Sequence, residues 1–138
     1  MGENLYIRNM ILIDGKLVSK TEENKLKDII SKMSSKPKFV AIQVGHNSAS
    51  MVYLKAKKRM SEKLNIDYEL IHLLDTTNEK LSQLVQKINN DTSIHGCIIQ
   101  LPLPSHIDRN IINLIDPKKD VDGFTKYNLG CVLSGDIN

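Results

Sequence analysis

Four residues carry the chemistry that this chain could do: Tyr53, Lys57, Gln100 and Asp122. Tyr53 and Lys57 stand four apart in Tyr53-Leu54-Lys55-Ala56-Lys57, a spacing that makes their side chains neighbours on a helix. A lysine beside an aromatic ring in a crevice loses hydration, which disfavours its charged form and suits it to moving protons near neutral pH. Gln100, in Gly96-Cys97-Ile98-Ile99-Gln100-Leu101-Pro102-Leu103-Pro104, can accept from such an amine or orient a water. Asp122, in Asp120-Val121-Asp122-Gly123-Phe124, adds a carboxylate. Each motif also has a plainer reading. Lys55, Lys57, Lys58 and Arg59 form a basic run of the kind that is ordinarily solvated, with Tyr53 as a half-buried packing residue. Gln100 can simply end an apolar strand, and Asp-Val-Asp-Gly can be an ordinary turn.

Other chemistries fit less well. The Tyr-xxx-Lys spacing also occurs in short-chain dehydrogenases, which need a Gly-rich turn after an earlier strand. The turn here is Gly45-His46-Asn47-Ser48-Ala49, without a G-x-G-x-x-G pattern. Asp120 and Asp122 lack the remaining ligands of a calcium loop. His46, His72, His95 and His106 show no ligand spacing, so no metal is expected. Cys97 and Cys131 stand far apart, which excludes a cysteine zinc site and a disulfide scaffold and fits a reducing cytoplasm. Cys97 reads as a small apolar core residue.

The elements that must position these groups follow from periodicity. Leu26, Ile29, Ile30 and Met33 share one helical face, predicting a helix over 21–33 with Ser19 and Glu22 as a capping box. Phe39 to Val44 suits a buried strand, and Asn47 or Ser48 can cap a helix over about 48–64. Tyr68–Leu74 is a second strand. Thr76 and Glu79 then read as a capping box for a helix near 77–90 with Leu81, Leu84, Val85 and Ile88 inward. Ile94 to Gln100 is a third strand, ended by Pro102 and Pro104. Ile107, Ile111, Ile112 and Ile115 predict a short helix before Pro117, after which the pattern fades. Leu5-Tyr6-Ile7 and Ile11-Leu12-Ile13 suggest an edge strand. Alternation of strand and helix predicts an α/β fold, a three-layer αβα with a small, mostly parallel sheet. In such a sheet, ligands bind at the carboxyl ends of the strands. The loops after Val44 and Gln100 therefore open on one side, where Tyr53, Lys57, Gln100 and Asp122 can meet.

With 138 residues, the chain suffices for one domain with a core. Its net charge of +3 is too mild to imply nucleic acid. A nucleic-acid module built on Lys55, Lys57, Lys58 and Arg59 would lack stacking aromatics beyond Tyr53. No apolar stretch approaches the ~18 residues of a membrane span, and Met1-Gly2-Glu3-Asn4 does not read as a signal peptide. A cytoplasmic protein without nucleic-acid or membrane partners is expected.

Taken together, the motifs resemble the N-terminal catalytic domain of bifunctional methylenetetrahydrofolate dehydrogenase/methenyltetrahydrofolate cyclohydrolase. The resemblance rests on Ile13-Asp14-Gly15-Lys16; on Val44-Gly45 with Ala49-Ser50, Tyr53 and Lys57; on Gly96 with Gln100-Leu101-Pro102-Leu103-Pro104; and on Lys119-Asp120-Val121-Asp122-Gly123-Phe124. Tyr127-Asn128 and Gly130 also fit, so it runs from about 11 to 133. It implies that Lys57 handles protons and activates water, and that Gln100 is its hydrogen-bonding partner. It implies too that Tyr53 packs on the folate's aminobenzoyl portion and that Asp122 grips the pterin's donor groups. Ser50, Leu101 and Pro102 complete the implied substrate-binding set. Tetrahydrofolate is the implied substrate. NADP or NAD would enter only with a second, Rossmann domain that the family carries and that lies outside residues 1–138. The implied activity of this segment alone is therefore hydrolysis of 5,10-methenyl- to 10-formyl-tetrahydrofolate, within one-carbon and purine metabolism. A folded chain that binds folate or a partner without catalysis is the alternative. A homodimer and a separate Rossmann-domain chain are the protein partners the resemblance allows.

Overall fold

The computed structural model describes residues 14–136, so the expected N-terminal edge strand lies outside the described residues. The elements are α1 (Gly15–Ser31), β1 (Lys38–Val44), α2 (Ser48–Lys63), β2 (Asp67–Leu73), α3 (Asn78–Asn90), β3 (Gly96–Ile99), a 3-10 helix (Arg109–Leu114) and α4 (Lys126–Ser134). The strands form one parallel sheet in the order β2-β1-β3. This is the α/β architecture expected from the alternation of elements.

The two faces of the sheet are set by strand periodicity. Val40, Ile42, Val44, Cys97 and Ile99 point toward α3 and the 3-10 helix, where Leu81, Val85, Ile88, Ile111, Ile112 and Ile115 close a buried aliphatic cluster. Ala41 and Ile98 point the other way, onto Leu54 of α2, flanked by Phe39, Met51, Tyr68 and Leu70. Phe39 and Tyr68 meet edge to face, with ring centroids 5.6 Å apart.

Local signals account for most boundaries, with three corrections. First, α1 starts at Gly15 rather than at 21, because the Asp14 carboxylate accepts from the backbone N–H groups of Lys16 and Leu17 at 3.0 and 3.2 Å. Ser19 is then interior to the helix. The face carrying Leu26 and Ile29 is exposed rather than buried; α1 is held to α2 by the Glu23–Lys63 ion pair. Second, α3 is capped by Thr77, whose hydroxyl accepts from Lys80 N, and not by Thr76. Third, the fading C-terminal segment contains α4, capped by Thr125 and closed by Gly135 in the left-handed conformation. It buries no residue, so the apolar periodicity that reveals a helix is missing. Among the described residues no helix is long and apolar enough to cross a membrane.

Candidate active site

α2 turns Ser50, Leu54, Lys57 and Ser61 toward the sheet, at positions i, i+4, i+7 and i+11. Ser50, Leu54 and Ser61 are buried, and the Lys57 side chain is 32% exposed. Lys55, Lys58 and Arg59, the rest of the basic run, lie on the exposed side of the helix. Lys57 therefore occupies a place on the inward stripe, where an aliphatic residue would be the ordinary choice. Asn47 fixes the start of this helix, its side-chain oxygen accepting from Ser50 N at 2.9 Å.

The Lys57 ammonium is the meeting point of three elements. Its Nζ lies 3.4 Å from Gln100 Oε1 and 3.4 Å from each carboxylate oxygen of Asp122. These contacts are longer than the about 2.7–2.9 Å of a tight charge-assisted hydrogen bond, so the amine is surrounded but not clamped. Gln100 is delivered by β3, whose ladder to β1 continues through Gln100 N donating to Ile42 O at 2.8 Å. The carbonyl of Leu101 accepts from both Gln100 Nε2 and Ser50 Oγ, each at 3.0 Å, and so ties the start of the Leu-Pro-Leu-Pro loop to α2. The Leu101–Pro102 peptide bond is cis.

Asp122 reaches the site by a route that sequence periodicity did not show. The segment Lys119–Val121 lies along the free edge of β3: Cys97 N donates to Lys119 O at 2.7 Å, and Cys97 bridges Asp120 in the parallel sense. A glycine is required where this segment passes. A Cβ on Gly96 would stand 2.5 Å from Val121 Cγ2. Lys119 anchors the other side, its ammonium donating to the carbonyls of Ile88, Asn89 and Asp91 at 2.7–2.8 Å, at the negative end of α3. Asp120 then folds the turn inward, accepting from Phe124 N, Thr125 N and Asn128 Nδ2. Burial pushes the Asp120 carboxyl up, but these hydrogen bonds outweigh it and hold it below the usual carboxylate range. The two aspartates of the motif thus divide their work: Asp120 builds the turn and Asp122 faces the amine.

Tyr53 is placed differently. It lies on α2 one turn before Lys57 and is 64% exposed, so it borders the site as an open ring and does not bury the amine. The ammonium meets an amide and a carboxylate in place of the apolar crevice expected from the Tyr–Lys pair. Leu101 and Pro102 line a depression of about 390 Å³ with Leu103, Pro104, Ser105, Ile107 and Arg109.

The remaining reactive groups are accounted for elsewhere. Cys97 is buried in β3 and burial pushes its thiol up to about 12, so it stays neutral in the core. His46 and His72 meet edge to face, and His95 Nδ1 accepts from Lys38 N. Among the described residues no group of three or more His, Cys, Asp or Glu could hold a metal ion. A nicotinamide dinucleotide also lacks a seat in these residues. The positive φ of Gly45 serves the turn after β1, where an added Cβ would stand 3.2 Å from Pro104 Cγ. Among the described residues, the α-helix N-termini each carry a side-chain cap: Asp14, Asn47, Thr77 and Thr125. None of them follows the G-x-G-x-x-G turn on which a pyrophosphate is seated.

The family described as tetrahydrofolate dehydrogenase/cyclohydrolase, catalytic domain, matches residues 13–122. The bifunctional protein FolD of Agathobacter rectalis is 41% identical over 131 residues, covering 90% of this chain and 46% of that protein. FolD of Anaplasma phagocytophilum is 41% identical over 133 residues, covering 92% and 44%. The crystal structure of the bifunctional FolD methylenetetrahydrofolate dehydrogenase/cyclohydrolase from Campylobacter jejuni superimposes with a TM-score of 0.84 at 36% identity, over 91% of this chain and 46% of that one. The chain thus spans about half the length of the curated relatives it matches. It belongs to the tetrahydrofolate dehydrogenase/cyclohydrolase catalytic-domain family.

Proposed function

We propose that this chain is the folate-binding catalytic domain of a methylenetetrahydrofolate dehydrogenase/methenyltetrahydrofolate cyclohydrolase, and that the step it supports alone is the hydrolytic one. The observation that carries this reading is the position of Lys57: inward on α2, within 3.4 Å of both Gln100 and Asp122, while its basic neighbours face outward. A solvated charge run does not produce that arrangement.

In the proposed reaction, water adds to the methenyl carbon that bridges N5 and N10 of 5,10-methenyltetrahydrofolate. Lys57, after giving up one proton to become the neutral amine, accepts a proton from the attacking water. The C–N5 bond then breaks and N5 receives a proton, leaving the formyl group on N10; one proton is released overall. Gln100 holds the amine through its oxygen and orients it toward the carbon. Asp122 offers two carboxylate oxygens to the donor pair of the pterin, for which a carboxylate is well matched. The Tyr53 ring supplies a face for the aminobenzoyl portion. Ser50 acts through Leu101 O, keeping the loop of Leu101 and Pro102 against the substrate. The dehydrogenase step needs NADP or NAD. The residues described do not fit that cofactor, and a Rossmann domain would have to supply its seat. The homologous structure from Trypanosoma brucei was determined with NADP and an inhibitor, and this chain covers 46% of it.

A second reading, folate binding without turnover, is favoured by the openness of the site: Tyr53 is 64% exposed. Hydrolysis of 5,10-methenyltetrahydrofolate by the chain and by Lys57→Ala, with calorimetry of a folate analogue, separates the two. Turnover that Lys57→Ala abolishes supports hydrolysis. Binding without turnover supports the second reading, and equal rates in both proteins reject the role of Lys57. Purine supply, cytoplasmic location, a homodimer and a separate Rossmann-domain partner belong to the same proposal.

A further inference from the structure

Gln43 is fully buried in β1, and its amide is only half used. Its Nε2 donates to Val44 O at 3.0 Å, whereas its Oε1 has no partner among the described residues. A buried acceptor left unpaired is costly, so a polar residue kept at such a place calls for an explanation.

The sheet register supplies one. Ile42 pairs with Ile99, and the ladder runs one step further through Gln100 N to Ile42 O. Gln43 and Gln100 are therefore lateral neighbours on adjacent parallel strands, which run about 4.8 Å apart. They also share a face. Gln43 follows Ala41 by two residues and Gln100 follows Ile98 by two, and both of those pack on Leu54 of α2. The Gln100 Nε2 group carries two protons, of which one is given to Leu101 O. Its oxygen faces Lys57.

We infer that Gln43 is a positioning residue: its Oε1, which no donor among the described residues reaches, takes the second proton of Gln100 Nε2 through one buried water. A glutamine amide can turn over, exchanging its oxygen for its NH2 group. With both protons committed, one to Leu101 O and one through the water to Gln43 Oε1, the Gln100 amide can present only its oxygen to Lys57. Gln43 touches no substrate; it acts through Gln100. This inference rests on the hydrolytic reading of the site for its kinetic consequence, but not for its structural one.

The test compares the chain with Gln43→Met, which keeps the length of the side chain and removes the acceptor. Gln43→Leu serves if the methionine variant does not fold. The first readout is the side-chain amide spectrum of ¹⁵N-labelled protein, with Gln100 assigned by its loss in Gln100→Met. Both Gln100 amide protons are expected to exchange slowly in the parent chain, and one is expected to exchange fast in Gln43→Met. The second readout is hydrolysis, where kcat is expected to fall about ten- to a hundredfold with little change in KM. An unchanged Gln100 signal in Gln43→Met overturns the inference whatever the kinetics. A changed signal in a parent chain without turnover upholds the pairing and rejects the hydrolytic reading instead. A changed signal with full kcat, in a protein where Lys57→Ala is inactive, overturns the positioning role.

Discussion

The two faces of the sheet are built to different plans. Toward α3, β1 and β3 present Val40, Ile42, Val44, Cys97 and Ile99, and aliphatic side chains from α3 and the 3-10 helix close over them. Toward α2, the fully buried apolar residues are Ala41, Leu54 and Ile98 alone. The row beyond them, at the carboxyl ends of the strands, is Gln43 and Gln100, and α2 covers it with Ser50 and Lys57. One face holds the fold, and the other holds the proposed site. A thin apolar layer on the α2 side lets an ammonium, an amide and a carboxylate share one place without being driven apart by packing.

The division predicts separable effects. Leu81→Ala, on the sealed face and fully buried, is expected to cost about 2–5 kcal/mol in urea unfolding while leaving the folate affinity of the folded protein unchanged. A matching loss of affinity would join the two faces into one unit. Gly96→Ala acts at the seam. Its Cβ would stand 2.5 Å from Val121 Cγ2, so the segment that carries Asp122 must move. We expect about 1–3 kcal/mol of destabilisation, and weaker calorimetric binding of a folate analogue as well. Stability lost with binding intact would show that Asp122 is not needed where the structure puts it.

A smaller effect concerns acid. The Asp120 carboxyl is held below the usual range in the folded chain, so its contribution to stability is present above the unfolded value of about 3.9. That contribution is lost as pH falls through the lower folded value. Unfolding measured from pH 6 to pH 2 should therefore steepen below about pH 4, and Asp120→Asn should flatten that part of the curve. An identical curve for both would remove Asp120 from the turn. The smallest effect is a lack of reaction. Cys97, with its thiol pushed up to about 12 in the sealed face, should resist alkylation in the native protein, whereas the half-buried Cys131 reacts. Equal labelling of the two would mean that the α3 face opens.

Much of the fold was legible because its signals are local. Parallel strands buried on both faces read as short apolar runs, and Asn47 announces α2 by its side chain. The misses have physical causes. Ser19 and Glu22 have capping-box spacing inside a helix that Asp14 had already started. Thr76 and Thr77 are adjacent and either could cap, and the chain uses the second. α4 has no buried face to betray it. In the site, Lys57 stood out through the family resemblance rather than through periodicity, because Ser50 and Ser61 disguise the stripe it completes. Gln43 was absorbed into an apolar run, and the separate duties of Asp120 and Asp122 depend on long-range contacts to β3 and α3 that spacing does not encode.

The central claim is that Lys57 is set apart from its basic neighbours by the side of α2 on which it stands. Its most direct test is hydrolysis of 5,10-methenyltetrahydrofolate by Lys57→Ala and Lys58→Ala, measured side by side with the parent chain at matched folded fractions. We predict a loss of at least about a hundredfold for Lys57→Ala and a rate within about twofold of the parent for Lys58→Ala. Equal losses in the two variants, or no loss in either, would contradict it.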